Sequence, residues 1–373
     1  MPRRTVRILT IAVGGLILAL LLWYATWAPH PATGSTSVAT QKGAPSLTAR
    51  LQSLPSELSA ASTPDRKAEA LNKIGREIEA VTTDELVAAL RAMLDRGVDA
   101  DTGLAFKIGP GGNLTGSPTL RVWMLDLLGR LDPAAAADYA ATIYARSSSA
   151  DEWAIALRND WRVAASQGKI EGPRTRVLEL LHNEAWAREP SPGFLEAFDL
   201  CIASLAWEAL PQFEAWLAPG QPKALRNGAW IALDRLAMEG PTDFLPALAT
   251  HDNWLSTQPA MRAGLMARAN VAAPVERAAV ESYLRRSDLA AAEGRRFFEL
   301  LPNVSATVSY NLVTTARTPT PQFAALMDRA TLSAVREWRG DPRFARWSTD
   351  LTAAEERLRE SVASAVRGGY LPP

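Results

Sequence analysis

Residues 149–161 read SADEWAIALRNDW, and this stretch decides how most of the chain is expected to fold. Trp153, Leu157 and Trp161 recur at positions i, i+4 and i+8, a spacing that places three large apolar side chains on one face of an α-helix. Residues 225–234, LRNGAWIALD, repeat part of the same sequence. We therefore expect an amphipathic helix in this stretch and a related helix further along the chain.

Helix starts of one type recur on both sides of that stretch. Proline is well tolerated at the first helical position, where its missing N–H needs no partner, and Ser, Thr and Asp are good capping residues before it. Apolar residues tend to return at helical spacing after each start, which predicts roughly fourteen to sixteen helices. The starts are Thr63-Pro64, Ser117-Pro118, Asp132-Pro133, Ser191-Pro192, Thr320-Pro321 and Asp341-Pro342.

Two stretches depart from this simple pattern. Residues 104–114, LAFKIGPGGNL, contain a turn sequence between short apolar runs and predict a small β-hairpin. Residues 194–207, FLEAFDLCIASLAW, are apolar on nearly every side, which predicts one buried inner helix.

The order of these helices indicates the fold class. Helix pairs are expected to begin near Ser117, Ser149, Ser191 and Gln221, roughly every 30–42 residues, although no known repeat consensus is met. We predict an all-α body over residues 47–373, built as an irregular α-solenoid of HEAT-like helical pairs. An α/α toroid is the alternative.

The N-terminal part of the chain predicts a membrane anchor. Residues 8–27 carry no charge, and twenty helical residues span about 30 Å, the thickness of the hydrocarbon core of a bilayer. Residues 28–46 are rich in small residues and proline and predict a flexible linker. Residues 1–7 would then form a basic cytoplasmic stub.

Positive charge lies on only one side of this apolar span. Three arginines precede it, whereas the first cation after it is Lys42, and basic flanks favour the cytoplasmic side. The body is therefore expected outside the cytoplasm, with two tryptophans at the outer headgroup level. The flanking residues are Arg3, Arg4, Arg7, Trp23 and Trp27.

Two further readings of the N-terminus stay open. A cleaved signal peptide is the alternative to a retained anchor, with Ser37–Ala39 as its best cleavage motif, although the apolar stretch is longer than the usual signal core. Gly15 and Ala19 form a small-xxx-small pattern that allows two membrane helices to approach, which predicts a weak homodimer.

The amino-acid composition limits which cellular compartment and which classes of partner are expected. The 40 basic and 40 acidic residues balance, so the chain lacks the excess of positive charge that is typical of nucleic-acid-binding proteins. Cys201 is the only cysteine and lies in an apolar stretch, which indicates a buried, inert thiol. Lysine is scarce while arginine and alanine are plentiful, a bias typical of GC-rich bacterial genes. We expect a single-pass protein of the bacterial inner membrane with a periplasmic body.

Motifs for metal, cofactor or nucleophilic chemistry are missing from the sequence. His30, His182 and His251 show no metal-binding spacing, and Asp99 and Asp101 do not continue into an EF-hand. No GxSxG or GxxxxGK[ST] motif occurs. We therefore expect neither metal nor cofactor, and a binding protein more than an enzyme.

Tryptophan is the feature that points to binding, since ten of the twelve tryptophans lie in the body. Such rings anchor protein interfaces or stack on sugars, although most are expected in the core. Residues Glu152, Trp153, Asp160 and Trp161 are the candidate binding residues. The two carboxylates lie about 12 Å apart along one helix, too far to act as a catalytic pair alone.

Two functions compete on this basis. The first is a membrane-anchored, extracytoplasmic α-helical scaffold or adaptor that binds a protein partner, because stacked helices offer extended surfaces without a reactive centre. The second is a carbohydrate-active or glycan-binding α/α toroid, in which Glu152 or Asp160 would need a partner carboxylate from another helix.

Overall fold

A computed structural model describes residues 47–79, 81–251, 254–305, 309–315 and 318–372. Regular structure in these residues is almost entirely α-helical, which confirms the all-α prediction. The predicted anchor, the linker and the Gly15–Ala19 contact fall outside the described residues. In the described part of the chain, no helix combines the length and apolarity that crossing a bilayer requires.

The first half of the described chain contains eight helices and one small hairpin. Strands β1 and β2 pair antiparallel around a short 3₁₀ turn, Pro110–Gly112, so the hairpin predicted over residues 104–114 is confirmed. The elements are α1 (Leu47–Ala60), α2 (Pro64–Ile78), α3 (Thr83–Asp95), β1 (Lys107–Ile108), β2 (Leu114–Gly116), α4 (Leu120–Leu131), α5 (Pro133–Arg146), α6 (Ala150–Ser166), α7 (Glu171–Leu181) and α8 (Glu184–Arg188).

The second half continues with helices of very different length. Two 3₁₀ helices, Trp207–Ala209 and Pro342–Trp347, precede α-helices. The α-helices are α9 (Pro192–Glu196), α10 (Phe198–Ala203), α11 (Leu210–Trp216), α12 (Lys223–Glu239), α13 (Pro241–Thr250), α14 (Pro259–Met266), α15 (Pro274–Arg285), α16 (Ala291–Leu300), α17 (Pro321–Gly340) and α18 (Ser348–Arg367).

Most of the predicted helix starts are confirmed by the capping geometry. The side chains of Thr63, Asp132, Ser191 and Thr320 each accept a backbone N–H from the first turn of the helix that follows. Asp341 caps in the same way, but the helix after it is 3₁₀.

The predicted start at Ser117 is wrong. Thr119 caps α4 instead, by accepting the Val122 N–H. The reason is that the chain before it is still engaged in pairing: β2 runs to Gly116, and Thr119 forms a β-bridge with Asp101.

The single inner helix predicted over residues 194–207 is also wrong. The segment forms α9 and α10, and the second of these ends at Ala203. Leu205 adopts a left-handed conformation with φ 47°, and the Ala206 N–H bonds back to the Cys201 carbonyl, which closes the helix end. Apolarity predicted the burial correctly, since Cys201 is fully buried and burial raises the pKa of its thiol.

Helices pack mainly against neighbours in sequence. Strong contacts join α5 to α6, α13 to α15, α14 to α16 and α17 to α18. One continuous apolar core runs from Leu51 in α1 to Leu358 in α18. The inward stripe of α6 belongs to this core, as its tryptophans and Leu157 are buried.

Candidate functional site

Trp153 in α6 is enclosed by aromatic side chains. Its ring lies 4.9 Å from the Tyr144 ring and 5.5 Å from the Trp186 ring, measured between centroids. Its indole N–H donates to the Ser147 carbonyl at 3.2 Å. Trp153 therefore has apolar, aromatic and polar partners within the fold.

The candidate carboxylates of α6 bind different partners. Glu152 is buried and accepts two hydrogen bonds from the Arg121 guanidinium, at 2.8 and 3.0 Å. Asp160 accepts from the Tyr144 hydroxyl at 3.2 Å, and burial raises the pKa of its carboxyl group. A ligand-binding role for these residues and for the neighbouring tryptophans stays a prediction.

The other candidate acidic residues, Asp99 and Asp101, form hydrogen bonds and ion pairs within the fold. Asp99 accepts the Arg121 N–H at 2.9 Å, and Asp101 pairs with Lys67 at 2.5 Å. Across the described residues, no group of three or more His, Cys, Asp and Glu side chains is arranged to hold a metal ion.

Five largely buried ion pairs in the described chain join residues of successive helix pairs, and we call them the ladder. The partners in the ladder are separated by 31 to 36 residues in sequence. This interval falls within the spacing of helix pairs that the sequence predicts. The pairs are Arg121–Glu152, Asp126–Arg158, Asp199–Arg235, Asp234–Arg268 and Arg262–Glu293.

Arg158 is the most deeply buried member of the ladder, with 0% of its side chain exposed. It donates to Asp126 at 2.5 Å and to the Gly112 carbonyl at 2.9 Å. Burial lowers the pKa of its guanidinium, and the Asp126 carboxylate opposes that effect. Asp126 also accepts the Leu114 N–H at 3.0 Å, so this pair fastens the hairpin to α4 and α6.

Residues 309–315, which we call the crossing segment, return to helices far earlier in the chain. The N–H groups of Val313 and Thr314 donate to Asp199 at 2.7 and 2.9 Å. The Thr314 hydroxyl also contacts both Asp199 and Arg235. The Asp199–Arg235 pair of the ladder therefore contacts the crossing segment as well as joining its own two helices.

The crossing segment also meets the hairpin. Gly112 has φ 71°, and a Cβ atom at this position would lie 2.0 Å from the Leu312 carbonyl oxygen, so only glycine fits. A cleft of about 380 Å³ lies between the two loops, with Trp161 and Arg162 in its lining. Arg162 donates to Asn113 at 3.1 Å, and burial lowers the pKa of its guanidinium to about 10.

The ladder gives the register between α6 and α12. Arg158 and Arg235 each pair with an aspartate two helices earlier, and the residue five positions before each arginine is a tryptophan. Trp153 in α6 is 8% exposed, whereas Trp230 in α12 is 42% exposed. Within the described residues, no aromatic ring stacks on Trp230.

Trp230, Ile231 and Met238 are exposed large apolar side chains of α12, and we call these three side chains the α12 face. Ile231 and Met238 lie about one turn before and after Arg235, so they flank this ladder arginine on the same side of the helix. Tyr310 of the crossing segment is also exposed. The chain therefore presents large apolar side chains beside the ladder.

Glu196 at the end of α9 lies near the same ion pair. Burial is the main cause that raises the pKa of its carboxyl group to about 7. The Asp199 carboxylate adds to this rise, while the Arg235 guanidinium opposes it. Glu196 is thus a titratable group in the physiological range.

A scan of family models finds no match to this chain, and comparisons with curated proteins and with solved structures find none either. The function of this chain must therefore be inferred from its own geometry. Sequence reasoning missed the ladder and the α12 face. The sequence contains acidic residues and arginines at the helix-pair interval. Many other charged residues are present as well, so this spacing alone does not identify the ladder.

Proposed function

We propose that this chain is a membrane-anchored, extracytoplasmic scaffold or adaptor that binds a protein partner through the α12 face. The observation that carries the proposal is the exposure of Trp230 and Ile231, at 42% and 41%, on a helix whose counterpart buries the equivalent tryptophan. Tryptophan is enriched among residues that dominate binding energy at protein interfaces.

An irregular α-solenoid is the architecture that we propose for the body. The ladder interval and the contacts between successive helices support it. A closed toroid would bring the first and last helical pairs together, whereas the strong contacts among the described residues join elements close in sequence. Stacked helices provide a continuous surface on which a partner can lie.

The remaining parts of the proposal rest on the sequence. The uncharged span at residues 8–27, with arginines before it, supports a single-pass anchor in the bacterial inner membrane and a periplasmic body. The linker at residues 28–46 would give the body freedom to reach a partner near the membrane.

Photocrosslinking in native membranes tests the proposal. A crosslinkable amino acid is placed at Ile231 of the full chain, with a matched position at exposed Val275 of α15 as the control. We expect one dominant protein adduct from the α12 face and none of that mass from the control. An α12 face that gives no specific adduct, or the same adducts as the control, would contradict partner binding.

A further inference from the structure

A second aromatic site lies away from the ladder. A pocket of about 530 Å³ opens between α11 and the C-terminal end of α13. Among its described lining residues Glu214 carries the one acidic side chain, and most of the others are aromatic or aliphatic. The aromatic walls are Trp207, His251 and Trp254.

The rings of this pocket are held around one buried phenylalanine. The Phe244 centroid lies 6.0 Å from Trp207 and 5.2 Å from Trp254. The His251 imidazole is edge-on to Trp254, with centroids 6.5 Å apart. Since Phe244 is fully buried, both tryptophans have a fixed support.

Strained backbone positions adjoin both tryptophans. Among the described residues other than glycine, only Leu205 and Leu255 have positive φ, at 47° and 54°. Bulky residues rarely adopt this conformation, and strain of this kind persists where the surrounding structure enforces it, often at ligand sites. Leu205 lies two residues before Trp207, and Leu255 directly follows Trp254.

Glu214 connects the strained turn to the pocket. One of its carboxylate oxygens accepts the Leu255 N–H at 2.8 Å. In the described part of the chain, no lysine or arginine forms an ion pair with Glu214. The pocket therefore combines aromatic faces with one carboxylate that has no cationic partner.

We propose that this pocket binds a quaternary ammonium group. Aromatic faces attract cations through the ring quadrupole, and a nearby carboxylate supplies the complementary charge. A primary ammonium carries three N–H donors and a guanidinium five, and the described lining offers them one carboxylate, which already accepts the Leu255 N–H. A methylated ammonium has no N–H donor, and its methyl groups fit the apolar walls. This site is independent of the α12 face.

Calorimetric titration of the full chain with choline tests the assignment, in a nonionic detergent that carries no ammonium headgroup. We expect saturable binding of choline, and binding about tenfold weaker for the neutral isostere in which carbon replaces the quaternary nitrogen. Equal binding of the two compounds would show an apolar pocket only and overturn the proposal. Butylammonium binding as tightly as choline would overturn the preference for a quaternary group.

Matched variants place the binding in this pocket. Trp254→Leu and Glu214→Gln should each weaken choline binding about tenfold, while Trp230→Leu on the α12 face should leave it unchanged. Glu214→Gln keeps the shape of the side chain and an oxygen for the Leu255 N–H, so it tests the carboxylate even if Trp254→Leu fails to fold. Unchanged binding in Glu214→Gln, or equal weakening in Trp230→Leu, would contradict the site.

Discussion

Helices α6 and α12 carry the same local arrangement, a tryptophan five residues before a ladder arginine, yet the fold treats the two tryptophans differently. Trp153 is enclosed because α5 provides Tyr144 and the short helix α8 provides Trp186. Trp230 has no such cover among the described residues. Burial of an aromatic residue is therefore decided by the neighbouring helices rather than by its own sequence.

The paired arginines differ in a similar way. Arg158 has no exposed side-chain surface, whereas 9% of the Arg235 side chain is exposed. Asp199, the partner of Arg235, also accepts two backbone N–H groups from the crossing segment. Asp126, the partner of Arg158, keeps one backbone donor from Leu114 and an ion pair with the more exposed Arg130 at 3.1 Å. The two pairs therefore differ mainly in the burial of their arginines.

The largest expected effect is the loss of Arg158. Arg158→Met should lower the free energy of unfolding by about 4 kcal/mol, because the buried Asp126 charge loses its one fully buried cationic partner and keeps only the more exposed Arg130. Arg235→Met should cost about half as much, since Asp199 keeps its backbone donors. Urea unfolding of the full chain, followed by helical circular dichroism, measures both.

A double variant provides the control for that experiment. Asp126→Asn combined with Arg158→Met removes both charges and should recover part of the lost stability. Equal losses of stability from Arg158→Met and Arg235→Met would show that the ion pairs of α6 and α12 do not differ in their contribution to stability.

A somewhat smaller effect is expected at the enclosed tryptophan. Trp153→Ala should destabilise the fold by about 3 kcal/mol, because it removes a buried ring and leaves a cavity beside Tyr144 and Trp186. Trp153→Phe keeps a ring in the same place and should cost clearly less. A near-neutral Trp153→Ala in chemical denaturation would mean that the site is open in solution.

Local sequence patterns predicted the local parts of the fold well. Capping side chains before proline gave the starts after Thr63, Asp132, Ser191 and Thr320, because a cap and its helix lie within one turn. The same reasoning failed at Ser117, where pairing with residues upstream of the hairpin holds the chain extended. Helical periodicity cannot detect such a competing partner.

Long-range features were beyond prediction for a physical reason. The Asp199 contact with Val313 spans 114 residues, and no pattern within either segment specifies the other. The candidate residues of α6 were identified by their types, but their partners Arg121 and Tyr144 come from other helices. The α12 face was missed because exposure depends on the absence of covering helices, which a single helix sequence does not contain.

An intermediate and pH-dependent effect is expected at Glu196, which lies near the Asp199–Arg235 pair of α12. Its folded pKa, raised to about 7, exceeds the ordinary value of 4.5, so the folded state holds the proton more strongly. Stability should therefore fall as pH rises from about 4.5 to 7 and stay lower above that range. A pKa rise from 4.5 to about 7 corresponds to at most about 3.5 kcal/mol, and solvent screening of the partly exposed side chain reduces the loss to roughly 1–3 kcal/mol.

Glu196→Gln tests that sign. The variant cannot ionise, so it should unfold at higher urea concentration than the wild type at about pH 8 and at nearly the same concentration at about pH 4. Glu208→Gln is a suitable control, because a hydrogen bond from Arg174 lowers the pKa of Glu208 instead. A Glu196→Gln advantage that is equal at both pH values would point to packing rather than to ionisation.

The smallest effect is expected at the exposed tryptophan, and it decides whether the α12 face is open. Trp230→Ala should change the free energy of unfolding by no more than about 0.5 kcal/mol, because surface substitutions without defined partners are nearly neutral. Urea unfolding is measured at several protein concentrations, with Trp153→Ala in parallel. A loss of about 2 kcal/mol that grows with protein concentration would show that a second copy covers Trp230, since association stabilises the folded state by mass action. The same loss at every concentration would mean that the chain itself covers the ring, and the difference between α6 and α12 would then disappear.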